Sequence, residues 1–181
     1  MGFRKFNTYA SLIMFASILM TATGLSKTVL EERLPSVPGY DFKESPEEIR
    51  TVKVEKQETG LVSYQLEFKK RTGNGSRRYL IEASPSGQPL IIEVFKNNEP
   101  SEAKAWWSNG KQSVTAEFRN FKKSGIWQFW NRDGETIGKV NFTGGNPRLI
   151  AWDKNQMAAL AKVNNFYSDI VTSVVQEFQE K

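Results

Sequence analysis

From Thr51 onward, apolar and polar residues alternate in short runs separated by Gly, Asn and Pro, the two-residue period of half-buried strands joined by turns. The runs are not independent. A phenylalanine falls eight residues after each of four turn glycines, in GLVSYQLEF (Gly60 to Phe68), GQPLIIEVF (Gly87 to Phe95), GKQSVTAEF (Gly110 to Phe118) and GETIGKVNF (Gly134 to Phe142). The glycines are spaced by 27, 23 and 24 residues, and the aromatic pairs Trp106-Trp107 and Phe129-Trp130 precede the last two of them, themselves 23 apart. The pattern is a strand, turn, strand unit repeated four times.

Glycine supplies the positive φ of a tight hairpin, and the dipeptides Asn109-Gly110 and Asp133-Gly134 predict two-residue type I′ turns. Strand alternation then places Val62, Tyr64, Leu66 and Phe68 on one face with Ile91, Phe95, Val114, Ala116, Phe118, Val140 and Phe142, and Ser63, Gln65, Glu67, Thr115 and Glu117 on the wet face. In the second unit Leu90, Ile92 and Val94 are apolar on the other face too, which predicts a hairpin covered on both sides. WWSNG and FWNRDG differ by one residue between aromatic pair and glycine. A two-residue turn at Asp133-Gly134 puts Trp127 and Phe129 on the core face, whereas a three-residue loop with a glycine bulge puts Trp130 there.

After Pro147 and a short strand over Leu149 to Trp152 the period changes. Leu160, Val163, Tyr167, Ile170, Val174 and Phe178 recur at three- and four-residue steps, an amphipathic helix with Asp153 as its cap and Gln156 as capping-box partner. It is expected to cover the face carrying Phe68, Phe95, Phe118 and Phe142. Residues 25–50, interrupted by Pro35, Pro38 and Pro46, read as a linker, and residues 1–24 as an export leader: Arg4 and Lys5, an uncharged apolar run, then small residues ending at Ala22 and Gly24. A cut before Leu25 makes the mature chain periplasmic or extracellular; an uncleaved leader is the alternative, as an N-terminal membrane anchor. The expected class is mainly β: an antiparallel meander of four β-hairpin repeats over 51–146 forming an open curved sheet, with a strand and helix over 147–181 packed on it.

Composition narrows the chemistry. The chain has no cysteine and no histidine, which removes disulfides, His-based triads, Cys–His pairs and zinc sites of the usual ligands. No catalytic residue, metal or cofactor is expected. The formal charge of +5 falls to +3 when Arg4 and Lys5 leave with the leader, and export turns this mild basicity away from nucleic acid toward anionic lipid or glycan. The densest basic stretch is Lys69, Lys70, Arg71, Arg77 and Arg78, flanking TGNGS. With Trp106 and Trp130 it forms the candidate surface for a partner or anion. An enzyme acting on glycans would need paired carboxylates, Glu117 with Glu135 or Glu82 with Glu93.

The stretch Trp106 to Phe142, WWSNGKQSVTAEFRNFKKSGIWQFWNRDGETIGKVNF, resembles the bacterial MORN-type repeat, with a weaker match over Tyr79 to Phe95 and the weakest over Val52 to Phe68. That family is often labelled as antitoxin components of the YwqK type. The resemblance implies a meandering antiparallel sheet used for binding and supplies no catalytic residue. The leader and the tail from Pro147 to Lys181 depart from the pattern. The expected function is an exported, non-catalytic binding or scaffold protein with a protein or envelope partner, and the alternative is an immunity protein that neutralises a toxin.

Overall fold

The computed structural model describes residues 34–43, 45–143, 147–163 and 168–179, so the expected leader lies outside the described residues. Among the described residues nine strands run β1 (Glu48–Lys56), β2 (Val62–Lys70), β3 (Ser76–Ala83), β4 (Pro89–Lys96), β5 (Glu99–Trp106), β6 (Gln112–Arg119), β7 (Lys122–Trp130), β8 (Thr136–Asn141) and β9 (Arg148–Trp152). Each pairs antiparallel with the next, giving one open meander sheet in sequence order. Helices α1 (Lys154–Val163) and α2 (Ser168–Gln179) follow. The mainly β meander of hairpins with a C-terminal helical cover is therefore as the periodicity predicts.

The turns differ from expectation. Around Gly60, Gly87, Gly110 and Gly134 (φ +84°, +84°, +81° and +86°) the closing bonds run from Gln57 N to Leu61 O, Ser84 N to Gln88 O, Trp107 N to Lys111 O and Asn131 N to Glu135 O, at 2.8–3.0 Å. All four are three-residue loops with a glycine in the left-handed region, so Asn109-Gly110 is not the two-residue type I′ turn expected, and Asp133-Gly134 takes the three-residue alternative. Consecutive positive φ angles occur instead in the links between units, at Asn97-Asn98 (φ 52° and 65°) and Asn120-Phe121 (φ 51° and 58°). Trp127 and Phe129 nevertheless face the core, because the register breaks again between Phe129 and Trp130 and Ile137 is the extra residue. Leu90 and Ser113 are the corresponding extra residues of the two preceding hairpins.

The core changes face partway along the sheet. Tyr64 pairs with Ile81 and Ile81 with Ile92, a step of 28 residues where the glycines are 27 apart, so the phase slips by one. Ile92 and Val94, rather than Ile91 and Phe95, lie beside Tyr64, Leu66 and Phe68. From Ile91 through Ala105 to Val114 the step is 23, equal to the glycine spacing, and no further slip occurs. Two clusters result on opposite faces. One joins Val37 and Phe42 to Tyr64, Leu66, Phe68, Tyr79, Ile81, Ile92, Val94 and Trp106. The other joins Ile91, Val114, Trp127, Phe129, Val140 and Phe142 to Met157, Leu160, Val171, Val174 and Val175 of the helices. β4 is buried on both faces, as its apolar run predicts.

The linker reading fails at its C-terminal end. Val37 and Phe42 are core residues, placed by a turn in which Tyr40 N donates to Val37 O (3.1 Å) across Pro38 and Gly39 (φ +83°). Arg50 donates to Phe42 O at 2.7 Å, fastening this segment over β1. The helical cover is also narrower than expected. Leu160 and Val174 are buried against the Phe142 side of the sheet, whereas Phe68 belongs to the opposite core and Phe95 is half-buried under Arg78. The side chains of Val163, Tyr167 and Ile170 lie outside the described set. Asp153 caps α1, accepting from Asn155 N (3.1 Å) and Gln156 N (3.0 Å), with the Gln156 amide returning to its second oxygen (2.9 Å).

Candidate functional site

A sequential antiparallel meander sorts its connections by end. The four glycine loops lie at one end of the strands and the links between units at the other. The glycine loops Gln57–Leu61, Ser84–Gln88, Trp107–Lys111 and Asn131–Glu135 hold two basic residues, Lys111 and Arg132, and three acidic ones, Glu58, Asp133 and Glu135. They are also stitched to one another. Gln88 donates to Trp107 O (3.1 Å), Trp107 Nε1 to Trp130 O (3.1 Å), Asn109 to Arg132 O (2.8 Å), Lys111 Nζ to Asp133 O (2.7 Å), and Asn131 to Gln156 of α1 (3.2 Å).

The opposite end has another character. Lys69–Arg77, Lys96–Glu99 and Arg119–Lys123 together hold eight basic residues and a single carboxylate, Glu99. Neighbouring links touch, since Asn97 N donates to Ser76 O (2.8 Å) and Ser76 N to Asn97 Oδ1 (3.0 Å). With adjacent strands about 4.8 Å apart, successive links follow one another at roughly 10 Å along this end.

The five cations singled out from the sequence divide by role. Arg77 is structural: it donates to both oxygens of Glu48 (3.1 and 2.8 Å) and stacks 4.2 Å over the buried Phe68 ring. Those bonds hold the Glu48 carboxyl below its ordinary range. Arg78 lies 4.4 Å over Phe95 on the other face. Arg71 Nε donates to Pro46 O (3.1 Å), Lys69 lies 3.3 Å from Glu67, and Lys70 is exposed. Only Lys69, Lys70 and Arg71 therefore contribute exposed charge at the link. Lys96, Arg119 and Lys122, exposed at the ends of β4, β6 and β7, extend it; Arg119 and Lys122 flank one link, and the strand order brings that link and Lys96 to the same end as Lys69 to Arg71.

Neither tryptophan is an open platform. Trp106 is 8% exposed within the first core, because the register break after Ala105 turns it to that face. Trp130 is half-buried at the stitched end. Among the described residues the exposed aromatic is Phe121, 61% accessible at the tip of the link between β6 and β7. The signal for it was the even spacing of the links, which places a turn at Asn120-Phe121 as at Asn97-Asn98.

Of the carboxylate pairs, Glu117 and Glu135 sit at opposite ends of the sheet. Glu82 and Glu93 share a face, diagonal across β3 and β4, where Leu80 opposes Glu93 and Glu82 opposes Ile91. Burial raises both carboxyls above their ordinary value; the charge of Glu82 adds to the effect on Glu93, while Gln57 donates to Glu82 (3.3 Å) and offsets part of it there. A shallow cavity of about 440 Å³ opens at the link end of β5 to β7, lined by Ser101, Glu102, Glu117, Phe118, Arg119 and Ser124, so two carboxylates stand near Arg119 there. Among the described residues no group of three or more Asp or Glu is arranged to hold a metal ion, and no helix is long and apolar enough to cross a membrane. Comparison of the chain with family models, curated proteins and solved structures found no match.

Proposed function

We propose that this chain is an exported, non-catalytic binding protein that engages anionic groups of the cell envelope through the basic end of its sheet. The observation that carries the reading is the clustering of charge: exposed Lys69, Lys70, Arg71, Lys96, Arg119 and Lys122 lie along the links, where Arg77 takes up Glu48, whereas the glycine-loop end is mixed in sign and hydrogen-bonded to itself. Exposed cations aligned on one edge raise the local concentration of phosphate or carboxylate groups, an effect that salt screens over about 8 Å at physiological ionic strength. The sheet is the scaffold that holds them in register. The resemblance to repeats used for binding agrees with this role, and an export leader would bring anionic lipids and glycans within reach.

The test is binding of a soluble polyanion, long-chain polyphosphate, to the purified chain at two salt concentrations. Retention at low salt that falls steeply with added salt, and is lost in a Lys70→Glu, Lys96→Glu, Lys122→Glu triple variant of unchanged stability, is the expected result. Equal retention of the triple variant would dismiss this end as the binding surface.

A further inference from the structure

Phe121 occupies a conformation that its side chain disfavours. Its φ of 58° follows Asn120 at 51°, so the β6–β7 link has both central residues in the left-handed region. That region suits Gly, Asn or Asp and is an outlier for a bulky residue. The sister link solves the same problem with two asparagines, Asn97 (φ 52°) and Asn98 (φ 65°). The hydrophobic effect does not explain the exception, because Phe121 remains 61% exposed and belongs to neither core. Backbone strain and an exposed aromatic coincide at one tip, and exposed Arg119 and Lys122 flank it directly in the strands entering and leaving the turn.

We infer that Phe121 is a membrane-inserting tip: the basic end docks on the surface of an anionic phospholipid bilayer, Arg119, Lys122, Lys96 and Lys70 meeting the headgroups while the Phe121 ring enters the interface. This rests on the proposed function and deepens it by choosing the lipid bilayer among anionic partners. A soluble polyanion gives an aromatic ring nothing to enter. A bilayer does, since aromatic rings are favoured at the boundary between headgroups and acyl chains, and attraction between basic residues and anionic headgroups adds to apolar burial there. The position also fits the geometry, because a two-residue link is the outermost point of its strand pair and carries the ring beyond the strand ends.

The experiment is co-sedimentation of the purified chain with vesicles of equal parts phosphatidylglycerol and phosphatidylcholine, beside polyphosphate binding and denaturant unfolding of the same samples. Phe121→Gly relieves the backbone and removes the ring. It is expected to unfold at a higher denaturant midpoint, to bind polyphosphate as the parent does, and to lose vesicle partition by about tenfold or more. Phe121→Trp is expected to retain partition. Vesicle binding unchanged in Phe121→Gly would overturn the inference, and so would a lowered midpoint, which would make Phe121 a structural residue. A parent chain that binds polyphosphate but no vesicles would overturn it while leaving the proposed function standing, whereas a chain that binds neither defeats both.

Discussion

Glu93 shows how a single side chain in this sheet trades stability for position. Its carboxyl lies on the face of β4 that carries Ile91, opposite Leu80 and Ala103, and is held above the ordinary value near 4.5 first by burial and then by the charge of Glu82, with Arg78 opposing. An acid whose folded value is raised binds its proton in the folded state before the unfolded one. Stability therefore rises as pH falls from the raised value toward 4.5, and the penalty is fully present above it. Glu93→Gln removes the charge and keeps the shape. Urea unfolding from pH 7 to pH 5 should show the variant more stable than the parent at pH 7, with the gap closing on acidification; a gap that widened would refute the assignment. Glu48 has the reverse sign: Arg77 lowers its carboxyl, so its contribution is present above 4.5 and disappears as pH falls through the depressed value.

Among the elements, α1 depends on an absence in β8. Gly138 pairs with Phe129 and Trp152, and a Cβ built on it would stand 2.6 Å from Met157 Sδ and 3.2 Å from the Phe129 ring. Met157, Phe129 and neighbouring Val140 are all fully buried, so the thioether has little room to withdraw. Gly138→Ala should therefore cost about 1–3 kcal/mol by overpacking, read as a lowered denaturant midpoint. The double variant with Met157→Ala should lose less than the sum of the two single losses, and strict additivity would show that the helix does not press on β8 here. The bulges at Leu90, Ser113 and Ile137 act at the same scale: each follows a glycine loop by the same offset and returns the strand to the phase its core residues need.

At the scale of the molecule, two cores on opposite faces have separate covers. The segment bearing Val37 and Phe42 closes one over β2 to β4, and α1 with α2 closes the other over β4 to β8. β4 belongs to both and transmits the pleat between them. Removing the chain after Asp153 strips only the second cover. Amide hydrogen exchange of such a truncate should rise most in β6, β7 and β8, while β2 and β3 keep more of their protection. Uniform loss across the sheet would mean that the two cores fold as a single cooperative unit.

Much of this was legible in the chain because it depends on neighbours. Two-residue alternation, turn glycines and the three- and four-residue steps of the tail are consequences of local backbone geometry, so the hairpins, the doubly buried β4, the Asp153 cap and the helical cover followed from them. The rest depended on register. One residue of slip between a glycine spacing of 27 and a pairing step of 28 exchanged the faces, sent Phe68 and Phe142 to different cores and drew the supposed linker into one of them. The site shows the same division: Lys69 to Arg71 and Arg119 to Lys122 are each local stretches, whereas only antiparallel pairing, which brings every second connection to the same end, set those two stretches and Lys96 along one end of the sheet. Alternation is decided one residue at a time, but which strand end and which face a side chain reaches is decided by hydrogen bonds between residues far apart in the chain.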